Sequence, residues 1–222
     1  MRNKFDMQLE RLSEQLIFMG SLCEKAIANA TKALRNGDLE LAKLVMSEDE
    51  EIDQIEKDIE RLCLKLLLQQ QPVARDLREI SAALKMISDM ERIGDQAADI
   101  ADLSKFIDRS VVEIPDEIAR MAEKTVHMVT ESIDAFVKAD LALCRKVIDD
   151  DDLVDELFNQ TKNKLADLIY KNMDAKAGLD LLMTAKYMER IGDHAVNIAE
   201  WVEYSITGIH RNNEHQMGGN KN

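Results

Sequence analysis

The hexapeptide Met-Glu-Arg-Ile-Gly-Asp occurs twice in this chain, as Met90–Asp95 and as Met188–Asp193, an offset of 98 residues. Downstream of it Ala97, Ile100 and Ala101 are matched by Ala195, Ile198 and Ala199. Upstream the match continues at an offset of 102, pairing Ala33 with Ala135, Asp38 with Asp140, Val45 with Val147, Asp49 with Asp151 and Asp53 with Asp155. The change of offset falls around Pro72 and Asn172. Self-similarity over about 100 residues is the mark of an internal duplication, so the two halves are expected to share one fold.

That fold is helical. Two prolines and eight glycines punctuate 222 residues, aromatics make up only 4%, and Leu, Ile, Met, Ala, Glu, Lys and Asp dominate, a mixture that favours long helices over strands. Apolar residues recur at spacings of three and four through six segments. The first runs from about Phe5 to Arg35, where Asn36-Gly37 supplies a left-handed end and Asp38 a cap for the next. The second reaches Gln71-Pro72, the third ends near Asp108, the fourth near Ala139, the fifth turns around Asn172 and the sixth frays before Gly208. The expected architecture is all-α: two tandem three-helix bundles, residues 1–110 and 111–210, related by a pseudo-twofold, with a disordered polar tail over 211–222.

Charge narrows the function. A net charge of −14 repels phosphodiester backbones and anionic lipid headgroups, which argues against nucleic acid and membrane surfaces as partners and favours cations. No window approaches the ~18 apolar residues of a membrane span, so no direct membrane insertion is expected. Cys23, Cys63 and Cys144 are odd in number, widely spaced and set in apolar stretches, which supports neither a disulfide framework nor a paired-cysteine metal site. With no apolar leader behind Met1, the expected location is cytoplasmic.

The acids are arranged with the same symmetry. Glu91, Asp95 and Asp99 stand at i, i+4 and i+8 on the third helix; Glu189, Asp193 and Asn197 repeat the spacing on the sixth. Asp49 and Asp53 on the second helix, and Asp151 and Asp155 on the fifth, are further i, i+4 pairs. Helices joined by a short turn lie antiparallel, so residues equally far from the turn face each other. Around Pro72, Asp53 and Glu91 are each 19 residues away, and Asp49 and Asp95 each 23. Around Asn172, Asp155 and Glu189 are each 17 away, and Asp151 and Asp193 each 21. Four carboxylates are thus expected to converge between two helices, twice over. Uncompensated charges share a site only at a cost, and a carboxylate-only donor set suits hard cations, meaning Mg²⁺, Mn²⁺, Ca²⁺ or iron, without distinguishing among them.

The alternative is a solvated acidic face neutralised by Arg92, Arg190, Lys85 and Lys186. Gly94 and Gly192, each costing about 1 kcal/mol within a helix, mark either close helix packing or room for a ligand beside the acids. His127, four residues after Glu123, reads as a paired structural residue, and His194 as a surface residue rather than a metal ligand.

The tandem repeat, the paired acids at Asp49/Asp53, Glu91/Asp95, Asp151/Asp155 and Glu189/Asp193, and the Glu-Arg-Ile-Gly-Asp blocks together resemble the PhoU family of phosphate-specific transport accessory proteins. The resemblance covers nearly the whole chain. It implies a non-enzymatic cytoplasmic negative regulator of phosphate uptake and of the phosphate-starvation response. It also implies partners in the ATPase subunit of a phosphate ABC transporter and in a phosphate-sensing histidine kinase, a homodimeric assembly, and iron, Mn or Mg at the acidic pairs. Asn197 stands opposite Asp99 where an acid is expected, so the sites need not be equal. The rival readings are a metal-free helical scaffold, a histidine phosphotransfer module, and a carboxylate-bridged metal enzyme. The last requires two Glu-x-x-His motifs, and Glu123 and His127 are four apart.

Overall fold

The computed structural model describes residues 2–69, 72–109 and 112–209; the tail over 211–222 and the boundary at 110/111 lie outside them. The six helices read from the periodicity are present as α1 (Arg2–Asn36), α2 (Leu39–Gln69), α3 (Ala74–Leu103), α4 (Asp116–Lys138), α5 (Leu141–Tyr170) and α6 (Ala175–Thr207). Among the described residues there is no strand, and no helix is long and apolar enough to cross a membrane.

The junctions follow local chemistry. Asp38 accepts a hydrogen bond from the Leu41 amide at 3.0 Å, and Asp140, its match in the second half, accepts from the Ala142 amide at 2.9 Å, each satisfying an orphan donor of a helix start. Before them, Gly37 sits at φ +67 and Ala139 at φ +50, so the duplicated left-handed junction is closed once by glycine and once by alanine. α3 stops at Leu103, short of the expected Asp108, because the chain tightens into a 3₁₀ turn over Ser104–Phe106. There the Ser104 hydroxyl donates back to the Ala101 carbonyl at 2.6 Å. Beyond it Ile107, Val112 and Ile114 pack into a satellite core with Leu34, Leu165 and Leu181, and Arg109 ties the crossing to α1 by donating to the Arg35 carbonyl at 3.0 Å.

Helix α3 packs against α6, with α2 flanking α3 and α5 flanking α6, while α1 and α4 pack on each other beneath. Exchanging α1 with α4, α2 with α5 and α3 with α6 reproduces this neighbour pattern, the pseudo-twofold of the duplicated sequence. The main core is continuous across the halves, joining Leu16, Met19 and Met90 with Met128, Met188 and Ile191. A Cβ on Gly20 would collide with Ile133, so glycine lets α1 and α4 close. All three cysteines are buried, and none of them forms a disulfide. Burial and nearby carboxylates push the Cys23 thiol far up, and burial pushes Cys63 up to about 12, leaving both unreactive.

Candidate metal centre

Two grooves carry the paired acids, one between α2 and α3 and one between α5 and α6. In the first, a Cβ on Gly94 would lie 2.8 Å from Asp49 Oδ1 and 2.9 Å from Ile52 Cδ1. In the second, a Cβ on Gly192 would lie 3.0 Å from Asp151 Oδ1 and 3.5 Å from Val154 Cγ1. The glycine therefore serves close packing, and what it admits is the carboxylate of the facing helix. The register follows the turn arithmetic, since each of these aspartates lies against the residue before its partner, Asp95 or Asp193. The inner oxygens, Asp49 Oδ1 and Asp151 Oδ1, are both buried without a hydrogen-bond partner, an arrangement that costs free energy unless something compensates it.

Electrostatics tie the remaining acids to these two. Burial, reinforced by Asp95, Asp53 and Asp99, pushes the Asp49 carboxyl up to about 6. Burial, reinforced by Asp193, Asp155 and Glu189, pushes Asp151 up to about 6 as well. Glu91 is raised by burial and by Asp95, with Arg92 opposing, and Asp193 by burial and by Glu189, with Lys186 opposing. The acids are neighbours within each groove but not a closed ligand shell: among the described residues no group of three or more His, Cys, Asp or Glu is gathered in a metal-holding arrangement. Cations occupy part of each rim. Arg92 reaches Asp95 at 2.7 Å and Glu91 at 3.3 Å, and Lys186 pairs with Glu189. Lys85 lies instead over the Trp201 ring, 5.9 Å from its centroid.

Asp99 is raised by burial and by Asp95, while a hydrogen bond from Tyr187 of α6 opposes the shift. Across the axis Asp89 Oδ1 accepts from Asn197 Nδ2 at 3.1 Å and faces His194 Nδ1 at 2.9 Å. At the offset of 98, Asp89 corresponds to Tyr187 and Asp99 to Asn197, so the two cross-axis contacts are one contact repeated with its chemistry exchanged. Asn197 is a donor because Asp89 needs one. His194 is accordingly half-buried and bonded, not a bare surface residue. His127 and Glu123 line a cavity of about 290 Å³ between α4 and α5 with Arg120, Lys124 and Leu153.

Sequence reasoning missed Asp89, Tyr187 and Glu56. Glu56 is raised by burial and bonded to Ser88 Oγ at 3.4 Å, and it lies close enough to Glu91 to help raise it. Its match at the offset of 102 is Phe158, over whose ring Lys186 sits at 5.6 Å. Because Phe158 is not acidic, matching the two halves gives no signal for Glu56.

Twin three-helix units that each present a carboxylate groove define a duplicated helical-bundle protein. The PhoU domain family model matches residues 16–104 and 118–202, and the chain belongs to the PhoU family. It is 37% identical over 210 residues to the phosphate-specific transport system accessory protein PhoU homolog of Clostridium acetobutylicum, covering 93% of this chain and 96% of the relative. To the PhoU homolog of Aquifex aeolicus it is 37% identical over 185 residues, covering 82% and 84%. The crystal structure of PhoU from Pseudomonas aeruginosa superposes with a TM-score of 0.86 at 33% identity, over 92% of this chain and all of that one. The phosphate transport system regulatory protein PhoU from Streptococcus pneumoniae superposes with a TM-score of 0.87 at 25% identity, over 93% and 98%. Membership assigns the chain a regulatory, non-catalytic role in phosphate-transport signalling.

Proposed function

We propose that this protein is a cytoplasmic negative regulator of phosphate uptake and of the phosphate-starvation response. In this reading it works as a homodimer, coupling the ATPase subunit of a phosphate ABC transporter to a phosphate-sensing histidine kinase, and holds hard cations in its two acidic grooves. Family membership supports the signalling part. The metal part rests on one observation made twice, the buried and unpartnered Asp49 Oδ1 and Asp151 Oδ1 in their glycine cradles. Asp49, Asp53, Glu91, Asp95 and Asp99 would hold metal in the first groove, and Asp151, Asp155, Glu189 and Asp193 in the second. Iron, Mn²⁺ or Mg²⁺ suits such oxygen donors, and the cation would supply positive charge where the carboxylates now repel one another.

Deleting the protein should derepress a phosphate-starvation reporter in phosphate-replete cells, and a wild-type copy should restore repression. Unchanged reporter output in the deletion strain would refute the signalling assignment. A second reading, a metal-free helical adaptor, draws support from the Arg92 contact to Asp95 at 2.7 Å, which neutralises one acid without metal. Elemental analysis of purified protein separates the two readings, because only the first expects bound metal.

A further inference from the structure

On α2, opposite in sign to the acid stripe, Lys57, Arg61 and Lys65 stand at i, i+4 and i+8. Like charges at this spacing are mildly destabilising. Arg61 and Lys65, with Arg11 from α1, line an open cavity of about 290 Å³ between α1 and α2, floored by Leu62 and bordered by Gln15 and Asp58. Asp58 is the one carboxylate in the lining. It pairs with Arg61 and accepts from Gln54 Nε2 at 3.1 Å, so it is already shared. Gln15, which borders the groove, carries a buried Oε1 without a partner.

The second half shows what this place looks like when it is closed. At the offset of 102, Gln15 corresponds to Glu117 and Leu62 to Lys164, and there Lys164 Nζ lies 2.9 Å and 3.2 Å from the two oxygens of Glu117. Arg61 and Lys65 correspond to Asn163 and Asp167. One half fills the position with its own ion pair. The other removes both partners and leaves three cations around a space, on a chain whose net charge is −14.

We propose that the α1–α2 groove is an oxyanion-binding site that takes a compact phosphoryl group, either free or as a lipid headgroup. Arg11 offers a planar fork of donors that matches such oxygens, Arg61 keeps Nη1 for the groove while its Nε donates to the Lys57 carbonyl at 3.2 Å and its Nη2 pairs with Asp58, and Lys65 adds a point charge. The volume, at the lower end for ligand pockets, restricts the occupant to a small group. The negative field of the rest of the chain opposes the binding.

The test uses the full chain, stripped of metal and desalted so that phosphate bridged by metal at the acidic grooves is not counted. Inorganic phosphate and pyrophosphate are titrated by calorimetry, and phosphatidylglycerol vesicles are assayed by co-sedimentation. Saturable binding to at least one probe is expected, with a roughly tenfold or greater loss in Arg11→Gln/Lys65→Gln, both surface positions. Gln15→Glu/Leu62→Lys, which transplants the closed pair of the second half, should lose the same binding. Phosphate or pyrophosphate binding lost in the surface variant identifies a free anion, and vesicle binding lost in it identifies a headgroup. No saturable binding to any probe, or affinity unchanged in the surface variant, overturns the proposal.

Discussion

In the first acidic groove Asp53 and Asp95 are partly buried, Glu56 adds a further carboxylate beside Glu91, and Asp99 extends the α3 stripe. In the second, Asp155 and Asp193 are exposed, Phe158 stands where Glu56 would, and Asn197 where Asp99 would. What the grooves share is the inner pair, a glycine on one helix and an aspartate oxygen pressed against it from the next. The duplication has kept the part that sets helix spacing and let the periphery answer to its surroundings. Asn197 serves Asp89, and Phe158 takes Lys186 over its ring. The grooves are therefore related but unequal, and the first is the richer in acid.

Without metal, the largest effect should come from forcing the peripheries to match. Asn197→Asp sets a second carboxylate against Asp89 and removes the 3.1 Å donor, costing about 1–2 kcal/mol. Asp99→Asn keeps a partner for Tyr187 and relieves repulsion from Asp95, so its effect should stay within about 0.5 kcal/mol or be stabilising. Urea denaturation midpoints read both. Equal costs would mean that the cross-axis contacts do not explain the asymmetry.

The shared inner aspartates predict a common pH dependence. Each carboxyl is raised from 3.8 to about 6 in the fold. Between those values the folded state holds more protons than the unfolded chain, so metal-free stability falls as pH rises through that window and the deficit is complete above it. Allowing for solvent screening, the deficit is about 1 kcal/mol per group. Asp49→Asn and Asp151→Asn should each remove a similar share of the fall between pH 4 and pH 7. A fall carried wholly by one of them would break the equivalence of the inner pairs.

A smaller contrast than either groove offers lies at the duplicated helix junctions Gly37 and Ala139. Ala139 holds a left-handed conformation, φ +50, that its match Gly37 adopts freely. Ala139→Gly should therefore stabilise by about 0.5–1 kcal/mol, read as a rise in melting temperature. Gly37→Ala should destabilise, since it adds strain at φ +67 and a Cβ 3.1 Å from Arg109 Cγ.

Much of this was legible in the sequence because the duplication supplied its own control. The repeated hexapeptide identified α3 and α6 as copies of one helix, and counting residues from Pro72 and Asn172 placed Asp49 by Asp95 and Asp151 by Asp193. The cross-axis contacts were not legible, because Asp89 corresponds to Tyr187 and Asp99 to Asn197, unlike residues that self-comparison passes over. Glu56 was hidden in the same way behind Phe158. The early end of α3 depends on Ile107 and Val112 finding a second core, a tertiary effect that helix periodicity does not carry. Whether the acids close around an ion depends on side-chain torsions, and spacing along a helix does not determine those.

Both grooves are proposed to bind a hard cation, the first more tightly than the second. Titrating Mn²⁺ into metal-free protein, with calorimetry and elemental analysis side by side, tests it on the wild type, Glu91→Gln/Asp95→Asn and Glu189→Gln/Asp193→Asn. Two classes of site are predicted in the wild type, with the tighter absent from the first variant and the weaker from the second. The melting temperature should rise with metal, corresponding to ~2.7 kcal/mol at a hundredfold excess over Kd. Metal content that is nil in the wild type, or identical in all three proteins, would contradict the account.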